Sequence, residues 1–319
     1  MKVVFFGTPN FAADTLSYLV SQGIEICAVV TRPDRPKGRS GTPQPSAVKS
    51  RAVELLPDIP IYSPEKASTP EFVALLSSFQ ADLFIVAAYG EIVRQSLLNL
   101  PRLGCLNLHA SLLPKYRGAA PIQQAIIDGE MESGATIMHM VLKMDAGNII
   151  KTVHVPISEE MTAGELEELI CSQGSIALVE VIKDFAIHGR QEGTPQDESQ
   201  VTMAPKIELE QCEINWQLPA ADLHNLIRGV NPQPGAWCYV FWRGEKKRLK
   251  IYRSKVVMQQ GTPGSILAAD KEGILVACGT DALHLQEIQL EGKKRMAAAE
   301  LLRGVQSHEI QSILSFIPN

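Results

Sequence analysis

The sequence predicts an α/β protein: a doubly wound, Rossmann-like parallel sheet, followed by a second, smaller β-barrel domain of OB-like type. Three observations carry that prediction. Short apolar runs alternate with helical patterns through the first part of the chain. After a polar stretch broken by Pro and Gly, QEGTPQDESQVTMAP, the texture changes to closely spaced strand-like runs. At about 150 residues per domain, the 319 residues suggest two domains. Strands alternating with helices argue for a parallel sheet, and regular short strands between turns argue for a barrel or sandwich.

The elements follow in order. Lys2 to Phe6 is a short apolar run closed by Gly7-Thr8-Pro9, a buried strand before a helix from about Phe11 to Val20. Ile24 to Val30 is the next strand, and Ala47 to Leu56 is helical in pattern. Asp82 to Ala88 (DLFIVAA) is a buried strand broken by Tyr89-Gly90, and Cys105 to Leu108 is another. Ala135 to Leu142 and Asn148 to Pro156 form a hairpin around Lys143 to Gly147. Thr162-Ala163-Gly164-Glu165 is a capping box; the helix it opens runs to about His188, with Gly189 suited to its end. In the second part, a helix at Ala220 to Arg228 precedes strands at Trp237 to Trp242, Leu249 to Tyr252, Gly264 to Leu267, Ile274 to Ala277 and Leu283 to Gln289. A last helix covers Ala297 to Arg303. The expected domains are 1–189 and 206–319, with 190–205 as the linker.

Composition narrows the function classes. The net charge of −5 hides an asymmetry: from Lys206 onward 14 Lys and Arg face 12 Asp and Glu, a balance of +2, against −7 for the rest. Six scattered cysteines with no C-x-x-C pair read as reduced core residues of a cytoplasmic protein, not as a disulfide frame or zinc site. No stretch approaches the ~20 apolar residues of a membrane span, and the N-terminal apolar run is too short for a signal peptide.

In a doubly wound sheet, ligands sit at the carboxyl ends of the strands. Gly7, Tyr89-Gly90 and the pair Asn107 and His109 all fall there. Two residues apart on a strand, Asn107 and His109 point to one face. An amide donor and an imidazole suit a carbonyl carbon under attack, where donors hold the oxyanion as it forms. An isolated Asn-x-His would read as a capped turn and a satisfied core histidine. Here the signatures of other chemistries are missing: no G-x-S-x-G elbow, no H-E-x-x-H, no Walker A sequence and no G-x-G-x-x-G after the first strand. No metal is expected. Asp145, in Met144-Asp145-Ala146-Gly147, is a turn residue by type or the carboxylate that orients His109.

The stretches NLHASLLPKYRGAAPIQ and MDAG closely resemble the folate-dependent formyltransferase family. FFGTPNFA, VTRPDRPKGRSG, AAYG and NWQLPAADLHNLIRGVNPQPGAW extend the resemblance over nearly the whole chain. It implies 10-formyltetrahydrofolate as donor and the amino group of methionine on initiator tRNA as acceptor, with Asn107, His109 and Asp145 catalytic. It further implies that Ser111, Leu112, Leu113 and Pro114 line the folate site, with the pterin near Tyr89, Gly90, Ile92 and Val141. In the loop from Thr31 to Ser46 it places Arg39, with Arg35 and Lys37, at the tRNA acceptor arm. After Gly38-Arg39 this chain has Ser-Gly-Thr where relatives often carry lysines. Phe11 matches a position near the methionyl side chain, and is equally well a core residue. Lys293, Lys294 and Arg295, a basic cluster of the second domain, are expected to touch the tRNA, as is a similar cluster at Lys246 to Arg248. A monomer is expected. Other formyl-group enzymes of the family, and a tRNA-binding protein with a relic enzyme domain, are the competing readings.

Overall fold

The computed structural model describes residues 1–36, 41–270, 272–303 and 314–316. The chain divides into two compact units. The first comprises 1–121, 132–156 and 167–204; the second comprises 122–131, 157–166 and 205–319.

The first unit is built on a seven-stranded sheet: β1 (Val3–Gly7), β2 (Ile26–Val30), β3 (Ile61–Tyr62), β4 (Leu83–Ala87), β5 (Cys105–His109), β6 (Glu132–His139) and β7 (Ile149–Pro156). Their spatial order is β7-β6-β5-β4-β1-β2-β3. The five strands from β5 to β3 run parallel. The hairpin β6-β7 adds antiparallel to β5, so the sheet is mixed rather than purely parallel. The chain winds outward from β1 through β2 to β3, then returns to the other side of β1 with β4. That reversal is the topological switch point, where ligands bind outside the strands' carboxyl ends. Strands β1, β4 and β5 are buried along their whole length, as their uninterrupted apolar runs require.

Helix α1 (Asn10–Ser21) follows β1 with only two residues between them. The close approach needs Gly7: a Cβ there would lie 2.5 Å from that of Ala12. Helix α2 (Ala47–Leu55) is capped by Ser46, whose hydroxyl accepts from the Lys49 N–H. Helix α3 (Pro70–Ser78), which the apolar periodicity does not mark, starts at Thr69 as N-cap with Pro70 in the first turn. The long helix α4 (Ala163–His188) opens on the capping box: the Thr162 N–H donates to the Glu165 carboxylate and the Glu165 N–H to the Thr162 hydroxyl. Among the described residues no helix is long and apolar enough to cross a membrane.

The second unit carries helix α5 (Ala220–Gly229) and strands β8 (Ala236–Trp242), β9 (Glu245–Val257), β10 (Ile266–Asp270), β11 (Gly273–Ala277), β12 (Ala282–Leu290) and β13 (Leu314–Phe316). They pair antiparallel in the order β10-β11-β12-β9-β8-β13, a nearly closed, barrel-like sheet. Its core centres on Trp216, fully buried and edge-on to Phe316 at 5.1 Å. Strand β9 begins at the charged run Glu245-Lys246-Lys247-Arg248, earlier than the apolar pattern alone indicates.

Candidate active site

Strand β5 ends in Asn107 and His109, which are 9% and 6% exposed. Asn107 pairs in register with Val86 of β4 on one side and Met138 of β6 on the other. Among the described residues its side-chain amide has no hydrogen-bond partner. At the carboxyl end of the strand its Nδ2 offers two N–H donors.

The His109 imidazole is held on both edges. Its Nε2 lies 3.0 Å from the Tyr116 carbonyl oxygen, which can only accept, so Nε2 carries the hydrogen. Its Nδ1 faces Asp145 Oδ2 at 3.8 Å. That separation is longer than a hydrogen bond, and catalytic contacts are often long in the absence of substrate. The carboxylate is itself placed by the backbone: Asp145 Oδ2 accepts from the Gly118 N–H at 2.9 Å. Asp145 has a positive φ of 49°, a conformation that Asp tolerates better than most residues.

The loop after β5 is braced from within. The Ser111 hydroxyl donates to the Lys115 carbonyl at 2.7 Å. The Thr136 hydroxyl donates to the Ser111 carbonyl and accepts from the Leu113 N–H. Ser111 is therefore committed to shaping the loop. Leu113 is buried, while Leu112 and Pro114 are half-buried. Thr136, Tyr116 and Gly118 escape sequence reading, because their parts are played by backbone groups or by a lone threonine in a strand.

Tyr89 is buried, and Gly90 follows it with a φ of +83°. The Tyr89 carbonyl accepts from the Thr8 hydroxyl at 2.7 Å, linking the ends of β4 and β1. Burial pushes the Tyr89 phenol well above its ordinary range, so it stays neutral. Arg32 pairs with Glu91 at 2.7 Å, and Glu91 also accepts from the Ala67 N–H. Ile92 and Val141 are exposed, 75% and 45%, as are Leu142 and Met144. Their chain neighbours Val93 and Met140 share one apolar cluster with Tyr89, so these exposed aliphatics flank common ground. Phe11 is 6% exposed, as a core residue would be.

The described residues of the stretch from Thr31 to Ser46 include regular pairing. Arg35-Pro36 pairs antiparallel with Pro43-Gln44, and the Thr31 and Ser46 hydroxyls meet at 2.6 Å. Arg35 forms an exposed ion pair with Glu65 at 3.1 Å. Lys37 and Arg39 lie outside the described residues.

In the second unit the buried Trp237, the half-buried Tyr239 and the exposed Phe241 alternate with the buried Cys238, Val240 and Trp242 along β8. They pair in register with Lys250, Arg248 and Lys246 of β9. The Arg248 guanidinium lies 4.4 Å from the Trp237 ring centroid and Lys246 Nζ 4.0 Å from that of Tyr239. Lys293 stands 5.6 Å from Trp242. Lys293, Lys294 and Arg295 are all exposed, but Arg295 is held by Glu287 and stacked on Tyr252 at 4.1 Å.

The formyl transferase family model matches residues 1–182, and the model of the formyl transferase C-terminal domain matches residues 206–306. The chain belongs to the formyl transferase family. Two formyl transferase relatives, each named methionyl-tRNA formyltransferase, cover nearly all of it. The protein of Protochlamydia amoebophila is 52% identical over 99% of this chain and 98% of its own length. That of Chlamydia caviae is 44% identical over 100% and 99%. Among solved structures, the N-formyltransferase from Helicobacter canadensis, in complex with folinic acid and dTDP-3-aminofucose, covers 89% of this chain and 99% of its own. It has a TM-score of 0.64 at 20% identity, which establishes the formyl transferase fold.

Proposed function

We propose that the protein transfers the formyl group of 10-formyltetrahydrofolate to the α-amino group of methionyl initiator tRNA, for translation initiation. The observation that carries this reading is the pair Asn107 and His109 at the end of one strand, with His109 facing Asp145, in a chain alike over its whole length to proteins named for this reaction. The family's other acceptors would share the three residues; the full-length likeness favours the tRNA.

The folate, when bound, supplies the formyl carbon on a nitrogen that leaves. Asn107 Nδ2 donates to the formyl oxygen as negative charge gathers on it. Because the amide is held on a strand between two neighbours, little reorganisation is needed at that moment. With Nε2 occupied by Tyr116, His109 Nδ1 is the ring nitrogen left for proton handling. The acceptor must attack as a neutral amine, and at a free pKa of about 8 an appreciable fraction is neutral at physiological pH. Its proton has to reach the departing folate nitrogen. His109 Nδ1 and Asp145 Oδ2 are the groups placed to relay it. Ser111 to Pro114, Tyr89, Gly90, Ile92 and Val141 wall the folate side, where exposed aliphatics suit an aromatic ring system. Phe11 sits near the methionyl side chain.

The RNA lies against Arg39, Lys37 and Arg35 of the first unit and the basic–aromatic face of the second, with Lys293, Lys294 and Arg295. The catalytic domain is taken as 1–189 and the RNA-binding domain as 206–319. The protein works as a monomer in the cytoplasm. Incubation with 10-formyltetrahydrofolate and charged initiator tRNA, followed by mass analysis of the released amino acid, tests the reading. Formylmethionine is the expected product. Unmodified methionine, under conditions where an amino-sugar nucleotide becomes formylated, would assign the chain to another acceptor.

A further inference from the structure

The segment between the two expected domains, Gln191 to Pro205, does more than connect. Most of it is exposed, but Gln196 is half-buried and all four positions of its amide are used. Gln196 Oε1 accepts from Arg117 Nε at 3.1 Å and from Arg117 Nη2 at 2.7 Å. Gln196 Nε2 donates to the Asp145 carbonyl and to the Gly147 carbonyl, both at 2.8 Å. Arginine can only donate and carbonyls can only accept, so the amide has one workable orientation.

These bonds close a ring. Arg117 and Gly118 are adjacent in a short strand that pairs with Met203-Ala204. Gly118 holds the Asp145 carboxylate; Arg117, through Gln196, holds the Asp145 main chain. Arg117 is 2% exposed and its charge is met by Glu198 at 2.9 Å; Glu198 also pairs with Lys143, at the start of the same turn. The turn has little to fix it from within. Its one internal backbone bond among the described residues, Ala146 N–H to Lys143 carbonyl, is 3.3 Å long, and Leu142 and Met144 are exposed. A positive φ at Asp145 persists only if the surroundings over-determine it.

We propose that Gln196 is a positioning residue that fixes the Asp145 turn so that the carboxylate faces His109. This rests on the formyl-transfer reading above. Two variants of the full chain test it. Gln196→Ala removes the whole bridge. Gln196→Glu keeps an acceptor for Arg117 but replaces both donors with an oxygen facing two carbonyls. The expected result for both is a turnover lower by roughly tenfold to a hundredfold, as for a displaced reacting group. KM for folate and for charged tRNA should stay close to wild type. Combined with Asp145→Asn, Gln196→Glu should cost nothing further, because the two act as one unit. Wild-type turnover in Gln196→Glu, or losses that simply add, would overturn the proposal. A second measurement needs no substrate: exchange of the Gly118 amide hydrogen, protected by Asp145, should quicken in Gln196→Glu. Unchanged exchange overturns the proposal whatever the activity. A wild-type protein inactive on charged tRNA would overturn the functional reading alone, with Gly118 exchange still deciding the part played by Gln196.

Discussion

Two polar regions of the molecule invite comparison: the site at the end of β5, and the outer face of β8 and β9. At the first, each polar group is buried or nearly so and has one geometry: His109 between Tyr116 and Asp145, Asp145 on Gly118, Ser111 on Lys115. At the second, cations lie over rings at the edge of the core, Arg248 over the buried Trp237 and Lys246 over the half-buried Tyr239, and among the described residues neither cation has a carboxylate partner. The difference is between preorganisation and accumulation. A preorganised donor acts at one atom, and its loss is felt whole. An exposed cation contributes one contact among many, softened by water and salt. If the first region makes bonds and the second holds RNA, variants should separate sharply by size of effect and by the constant they change.

The largest effects belong to β5. Asn107→Ala should lower turnover roughly a hundredfold to a thousandfold, the loss of about 2.7–4 kcal/mol found when one oxyanion donor is removed. Folate binding should change little, since the amide acts on charge that develops later. His109→Ala should fall by on the order of a hundredfold or more. Steady-state kinetics with charged tRNA decide both. Near-normal turnover in Asn107→Ala would leave its lone amide without a purpose in the reaction.

Next comes Asp145→Asn, expected to lose roughly a hundredfold in turnover as a general acid–base group. The amide can still accept from the Gly118 N–H, so the melting temperature should barely move. A large drop in melting temperature with turnover preserved would mark Asp145 as a turn residue only.

These expectations show how unevenly the sequence speaks. Asn107 and His109 are legible because a period of two inside an apolar run places both on one face. Asp145 is legible as a candidate, because Asp-Ala-Gly between two strand runs marks a turn. Gln196 is hidden: it sits in a polar stretch with Pro and Gly, and bonds formed across 51 and 79 residues leave no local pattern. The capping box of α4 is legible from two side chains, since the cap is local. The opening of β9 is not. Lys246, Lys247 and Arg248 are poor strand formers by propensity, and cross-strand pairing with Phe241, Val240 and Tyr239 decides their conformation.

For the outer face, the expectation is a shift in affinity without a shift in chemistry. Lys246→Ala with Arg248→Ala removes two cations and exposes two rings. The slope of RNA affinity against salt should shrink by about one unit for each phosphate that a removed cation had neutralised, that is, by about two. KM for charged tRNA should rise while turnover at saturation holds. Arg295→Ala should matter less, because its charge is already engaged by Glu287. An unchanged salt slope in the double variant would move RNA binding away from this face.

The smallest expected effect is on stability and comes from His139. The ring is 5% exposed at the end of β6, 6.0 Å from Phe185, with Nε2 2.6 Å from the Gln191 carbonyl. Burial pushes its pKa down, and the nearby Arg190 pushes the same way, against the Gln191 carbonyl and Glu192. The folded ring thus binds a proton less readily than the unfolded one, whose value is about 6.5. Between the two values the unfolded chain takes up more protons, so stability is full above about 6.5 and falls as pH drops through the folded value. His139→Gln, which keeps a donor within reach of Gln191 but cannot charge, should flatten that fall while costing a little at neutral pH. Melting temperatures of the two proteins from neutral to mildly acidic pH make the comparison. Parallel curves would mean that the acid sensitivity lies elsewhere, and that the attachment of Gln191 to β6 does not depend on keeping this ring neutral.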